Sequence, residues 1–117
     1  MKKLKIVILL FICSMLYLNS YSLPTQLSGS LSGTYGTTGN SPDYIVIADI
    51  YVTSGNNVTF DPGVTVEFGN NGTTGYKFDI QTSAYLTALG TSSQIIQFYP
   101  SNQTIGWGGI NFYGSIN

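Results

Sequence analysis

NNVTFDPGVTVEFG, residues 56 to 69, is the stretch on which the architecture turns. Apolar residues alternate on both sides of its centre, Val58 and Phe60 before it, then Val64, Val66 and Phe68 after it. That two-residue period marks half-buried strands. In Asp61-Pro62-Gly63-Val64, proline holds φ near about −65° at the second position and glycine supplies positive φ at the third, so a type II turn is predicted. Two-residue hairpins use type I′ or II′ turns, because a type II turn splays right-twisting strands apart. The flanking strands are therefore expected to meet at a corner and to pair elsewhere. The rival is a hairpin meander with a longer loop.

The rest of the chain supplies the partners. Ile50-x-Val52 returns as Phe78-x-Ile80, a shift of 28, and as Ile110-x-Phe112 after a further 32. Val58-x-Phe60 is matched by Leu86-x-Ala88 at 28, and Val66-x-Phe68 by Ile96-x-Phe98 at 30. Three strand types thus recur in one order about every 30 residues, the mark of repeat architectures whose units bury their faces only against neighbours. The predicted fold class is all-β, a parallel β-helix (solenoid) of about two to three rungs. Its inward columns would be Ile50/Phe78/Ile110, Val58/Leu86 and Val66/Ile96, spaced about 4.8 Å apart. Thr59/Thr87 and Glu67/Gln97 would form polar ladders outside.

Strand regions are read at 44–52, 77–80, 84–90, 95–98 and 109–114, with turn chemistry at 54–57 and a polar loop at 69–75. Residues 28 to 43, rich in Ser, Gly and Thr, read as loop or short irregular strands. No stretch after residue 22 keeps a 3.6-residue apolar period over ten residues, so helices are expected to be rare.

The N-terminus is different in kind. Lys2, Lys3 and Lys5 precede Ile6 to Leu18, an uncharged run of thirteen residues, short of the ~20 needed to span a bilayer. With a small-residue site in Ser20-Tyr21-Ser22, residues 1–22 read as a secretory signal peptide cleaved after Ser22 or Ser20. Cys13 lies inside the apolar run, but Ile12 before it lacks the small side chain of a lipobox, so the cysteine is expected to leave with the signal. Residues 23–47 are read as an N-terminal cap and 48–117 as the first rungs.

The exported part has no Cys, His or Arg. It keeps Lys77 against Asp43, Asp49, Asp61, Glu67 and Asp79, a net charge of −4. Nucleic-acid binding needs a basic footprint, which is lacking. Without cysteines the fold must rest on packing and backbone hydrogen bonds.

Three runs resemble the N-terminal rungs of secreted bacterial proteins with right-handed parallel β-helix repeats, of the pectin-lyase-like fold. They are YIVIADIYVTSGNNVTFDPGVTVEFG, LTALGTSSQIIQFYPS and WGGINF. The motif positions are Asp49 to Val52, Ser54-Gly55, Phe60 to Phe68, Leu86 to Thr91, Ile96 to Phe98 and Trp107 to Ile110, and the likeness extends over about residues 28 to 117. The chain departs from that pattern where Phe60-Asp61 replaces Ile-Glu and Leu89 fills a variable position. These motifs are turn and core chemistry, so they imply a fold more than an activity. The resemblance implies the right hand of the coil, a bacterial origin, and a secreted or surface-attached setting. It also implies a longer parent protein, with further rungs after Asn117 and an open, aggregation-prone edge at the truncated end.

No catalytic, metal or cofactor site is read in these residues. Asp61 is a turn residue, Glu67 alternates outward, and Lys77 and Asp79 form a solubilising pair on one strand face. Tyr51, Tyr99 and Tyr113 should point outward, Trp107 should pack on the corner at Gly108-Gly109, and Thr59 and Thr87 are too sparse for an ice-binding rank. The Asn-x-Thr sequons at 57, 71 and 102 matter only in a eukaryotic secretory pathway. Two functions remain. One is a structural or adhesive surface module contacting glycans or cell-envelope components. The other is the N-terminal part of a polysaccharide lyase or hydrolase whose acidic cluster and basic residue lie downstream.

Overall fold

The computed structural model describes residues 22–114. The expected signal peptide, apart from Ser22, lies outside the described residues, as do residues 115–117. Nine strands and no helix are present among the described residues, and the strand ladders are all parallel.

The DPG segment is a corner. β4 (Asn57–Phe60) and β5 (Thr65–Phe68) flank it and do not pair with each other. Instead β4 lies between β2 (Gly33–Tyr35) and β7 (Tyr85–Ala88), and β5 between β3 (Tyr44–Val52) and β8 (Gln97–Pro100). Gly63 has φ +86°, and Val64 N–H donates to the Asp61 carbonyl at 3.3 Å, closing the turn. The remaining groups are used sideways. Asp61 N–H donates to Tyr35 O at 3.0 Å and Gly63 N–H to Gln94 O at 3.0 Å. A buried backbone group needs a partner, and here neighbouring passes of the chain supply it.

The nine-residue β3 organises the larger sheet. On one side β1 (Thr25–Ser30) runs along both of its halves, with Leu27 beside Val46 and Gly29 beside Ile50; on the other, its first half, Tyr44 to Val46, pairs with Val66 to Phe68. Its second half, Ile50 to Val52, pairs with β6 (Phe78–Ile80), which pairs in turn with β9 (Ile110–Phe112). One strand therefore belongs to two faces, and the sheet curls around it. The chain makes four passes: β1–β2, β3–β4, β5–β6–β7 and β8–β9.

Two predicted columns match the register, Ile50/Phe78/Ile110 and Val58/Leu86. The third is off by two residues. Val66 pairs with Phe98, not Ile96, and Glu67 with Tyr99, while Gln97 sits beside Thr65. Corner hydrogen bonds set this offset: Thr91 and Gln94 close a turn on each other, Gly63 N–H takes the Gln94 carbonyl, and Gln97 N–H takes Val64 O at 3.0 Å. Ile96 is thereby held at the corner, packed on the core's edge. The segment read as a cap also contains two strands: β1 and β2 already pair in the parallel sense of the later passes.

The core lies between the two sheets. Val46, Ile50, Val52, Val58, Val64, Val66, Phe68 and Phe78 have no exposed surface. Each such side chain contributes about 1.5–3 kcal/mol through burial. Phe60 joins the walls: its ring stacks on Tyr35 (5.3 Å between centroids) and meets Phe98 (5.2 Å) and Phe78 (6.2 Å) edge to face.

Candidate functional site

The surface feature that stands out is a step at the corner between the two halves of the larger sheet. Paired residues measure that corner on each pass, from 27 to 29, 46 to 50, 68 to 78 and 100 to 110. The first two passes turn tightly. The last two carry loops, because ten positions must span what four span below. Between the short corners and the first long loop lies a cleft of about 510 Å³, within the usual range for small-molecule sites, roughly 300–1,000 Å³. Gly29, Ala48 and Asp49 line it from the short corners, and Asn71, Thr74 and Tyr76 from the long loop.

The long loop is held by its own side chains. Asn71 Oδ1 accepts from Thr73 N–H (3.0 Å), Thr74 N–H (2.8 Å) and the Thr73 hydroxyl (3.0 Å), and Asn70 Oδ1 accepts from Gly72 N–H (2.9 Å). These are Asx-turn contacts, which mimic a backbone turn. Tyr76 N–H donates to Gly69 O at 3.0 Å and closes the loop's base. The next pass clamps it from outside. A Cβ on Gly75 would lie 2.1 Å from Gly106 O and 2.4 Å from Trp107 Cα, so only glycine fits there. Trp107 lies over Phe68 at 4.3 Å, packed on this corner.

Across the cleft, Asp49 Oδ1 accepts from Lys77 N–H at 3.1 Å. Its Oδ2 has no hydrogen-bond partner among the described residues. Lys77 Nζ is 2.9 Å from Asp79 Oδ2, and the hydrogen bond and charge of Asp79 raise the ammonium above its ordinary value. Asp79 also accepts from Asn111 Nδ2 at 3.0 Å. The cation is thus committed to the neighbouring face, and the cleft itself carries one carboxylate and no basic group.

The other expected residues are spread over the surface. Tyr51 and Tyr113 are exposed, whereas Tyr99 is half-buried beside Glu67, where burial and then the Glu67 charge raise its phenol. Thr59 and Thr87 align, and Thr34 extends their column. Among the described residues no three acids, histidines or cysteines come together to hold a metal.

No family model, curated protein or solved structure matches this chain.

One polar residue escaped the sequence reading. Asp43 is buried, 3% exposed, and its carboxylate accepts from Thr38 N–H (2.6 Å), Thr38 Oγ1 (3.0 Å), Thr65 N–H (2.9 Å) and Thr65 Oγ1 (3.1 Å). Burial by itself raises a carboxyl, but these four donors outweigh it and the group lies below its ordinary value. It ties the loop before β3 to the start of β5, a structural knot with no open side. Thr38 is five residues away, but the two donors that complete the knot come from Thr65, 22 residues away, and nothing local marks that partner.

Proposed function

We propose that the chain is an exported β-helix module with a structural or adhesive role at the cell surface, built as the first rungs of a right-handed parallel coil. The observation that carries this reading is the double pairing of β3, whose halves meet β5 and β6 in parallel. A chain that repeatedly pairs with its own later segments in one direction grows by stacking, and each added pass lengthens a surface. The right hand is what the resemblance of these runs implies, and the preference for right-handed crossovers between parallel strands supports it. The basic and apolar pattern of residues 1–22 supports export. Loops at one corner, ordered by Asx contacts and clamped by glycine, support a display role, because a preformed loop loses little entropy on contact.

Two measurements test it. Mass spectrometry of protein recovered from the medium or envelope of a bacterial host should find a mature N-terminus at Tyr21 or Leu23, and a chain kept at full mass overturns export by cleavage. Fluorescently labelled protein should bind intact cells saturably; binding that never saturates, or none, rejects adhesion.

A further inference from the structure

The geometry of the stepped corner points to a binding site for a neutral saccharide, and we propose that the cleft between Ala48-Asp49 and the 69–76 loop takes one sugar ring of a glycan chain. This deepens the surface-module reading and rests on it for the exported, glycan-facing setting.

The chemistry of the walls selects the ligand. Asp49 keeps one carboxylate oxygen unpaired among the described residues, and a carboxylate accepts strongly from hydroxyl donors. Opposite it, Asn71 spends its side-chain oxygen entirely on the loop, which leaves its Nδ2 as a donor toward hydroxyl oxygens. Thr74 adds an exposed hydroxyl able to do both. Tyr76 closes the floor of the cleft, its ring packed against the core, so the wall there is aromatic and apolar where it meets the loop. Gly29 and Ala48 carry almost no side chain, so a ring can approach the backbone on that side. An acceptor, a donor and a hydroxyl around one cleft, beside small residues and an aromatic wall, match a neutral ligand rich in hydroxyls.

Other ligand classes fit less well. Calcium takes six to eight oxygens, usually with several carboxylates, and the cleft has one. A uronate or phosphate would meet Asp49 with no cation to offset it, since Lys77 is paired to Asp79.

The test uses the full chain and a panel of neutral disaccharides and short neutral oligosaccharides, with acidic oligouronates and CaCl₂ as comparison ligands. Saturation-transfer NMR should detect binding by at least one neutral member. Ala48→Phe fills the cleft without removing a hydrogen bond, and Asp49→Ala removes the acceptor. Each should weaken that binding about tenfold or more, a change equal to 1.4 kcal/mol. Thr74→Ala, on the exposed wall, should weaken it by a smaller factor and serves as the conservative variant if Ala48→Phe perturbs folding, as judged by Trp107 fluorescence. Saccharide binding that all three variants retain would overturn the cleft while leaving the surface-module reading standing. No binding of any neutral sugar, or binding of oligouronate or Ca²⁺ alone, would also overturn it; the adhesive reading would then be judged by cell binding alone.

Discussion

The third pass and the fourth are built from the same columns yet differ in burial. Phe78 and Ile80 of β6 are 0% and 1% exposed. Directly beside them in register, Ile110 of β9 is half-buried and Phe112 is 67% exposed. The residue types are equivalent and the strands face the same way. Among the described residues β6 has a strand on each side, whereas β9 has one. Burial in this fold is therefore conferred by neighbours along the stack, and an apolar residue at a core register position is only as buried as the pass beyond it allows.

The largest test of that contrast is a pair of truncations. Phe60→Ala removes the ring that touches Tyr35, Phe78 and Phe98 and should cost about 3–5 kcal/mol in urea unfolding, as for large aromatic core deletions. Phe112→Ala should cost less than about 1 kcal/mol, because its ring is already mostly in water. If the two costs proved equal, the fourth pass would be covered in solution and the contrast would fail.

Next in size is the Asp43 knot, which belongs to the well-covered part of the molecule. Asp43→Ala leaves the buried donors of Thr38 and Thr65 unsatisfied and should cost about 2–3 kcal/mol. The folded carboxyl lies below its unfolded value of 3.8. Its stabilisation is therefore complete above that pH and is lost as pH falls toward and through the lowered folded value. Denaturation midpoints measured from neutral to strongly acidic pH should drop more steeply over that acid range for the parent than for Asp43→Asn.

A smaller effect is expected where the fourth pass clasps the third. Gly75→Ala places a methyl against the backbone of Gly106 and Trp107 and should cost about 1–3 kcal/mol, the range for overpacking. Because Trp107 is the single tryptophan, its emission should shift to the red as the last pass lifts away. An unshifted spectrum at unchanged stability would show that this clasp does not hold the outer pass. The smallest effect should come from Ser83, which has φ +61° in the turn that stacks on Thr53 to Asn56, where Gly55 has φ +80°. Ser83→Gly relieves the left-handed strain, offset in part by glycine's unfolded freedom, for a net gain of roughly 0.5 kcal/mol. A loss would mean that the Ser83 side chain contributes more than its backbone costs.

Legibility in the sequence followed the range of the interaction. Lys77 and Asp79, two residues apart at the start of β6, are legible as a pair and form one. The columns through Ile50 and Val58 were found because short apolar pairs repeat. The column through Val66 lies two residues from the position the sequence predicts, since Ile96-x-Phe98 and Phe98-x-Pro100 both offer a pattern. Hydrogen bonds from Gly63 and Gln97 to the neighbouring corner chose between them. β1 and β2 were hard to see in a Ser, Gly and Thr-rich segment, where partners on β3 and β4 create strands that local composition does not announce. The candidate cleft had no motif, because it arises from corner lengths on different passes.

The sequence by itself determined the corner at Asp61 to Val64, since proline and glycine restrict φ through covalent geometry and sterics that need no partner. It also determined which face of most strands turns inward, through the two-residue period. Only the tertiary structure decided the register of β8, the burial of Asp43, the exposure of Phe112 and the step that opens beside Asp49. The register, the burial and the step depend on groups about 20 or more residues apart coming within hydrogen-bond or van der Waals reach, and the exposure of Phe112 on which neighbours β9 has among the described residues; all are set by how the passes stack.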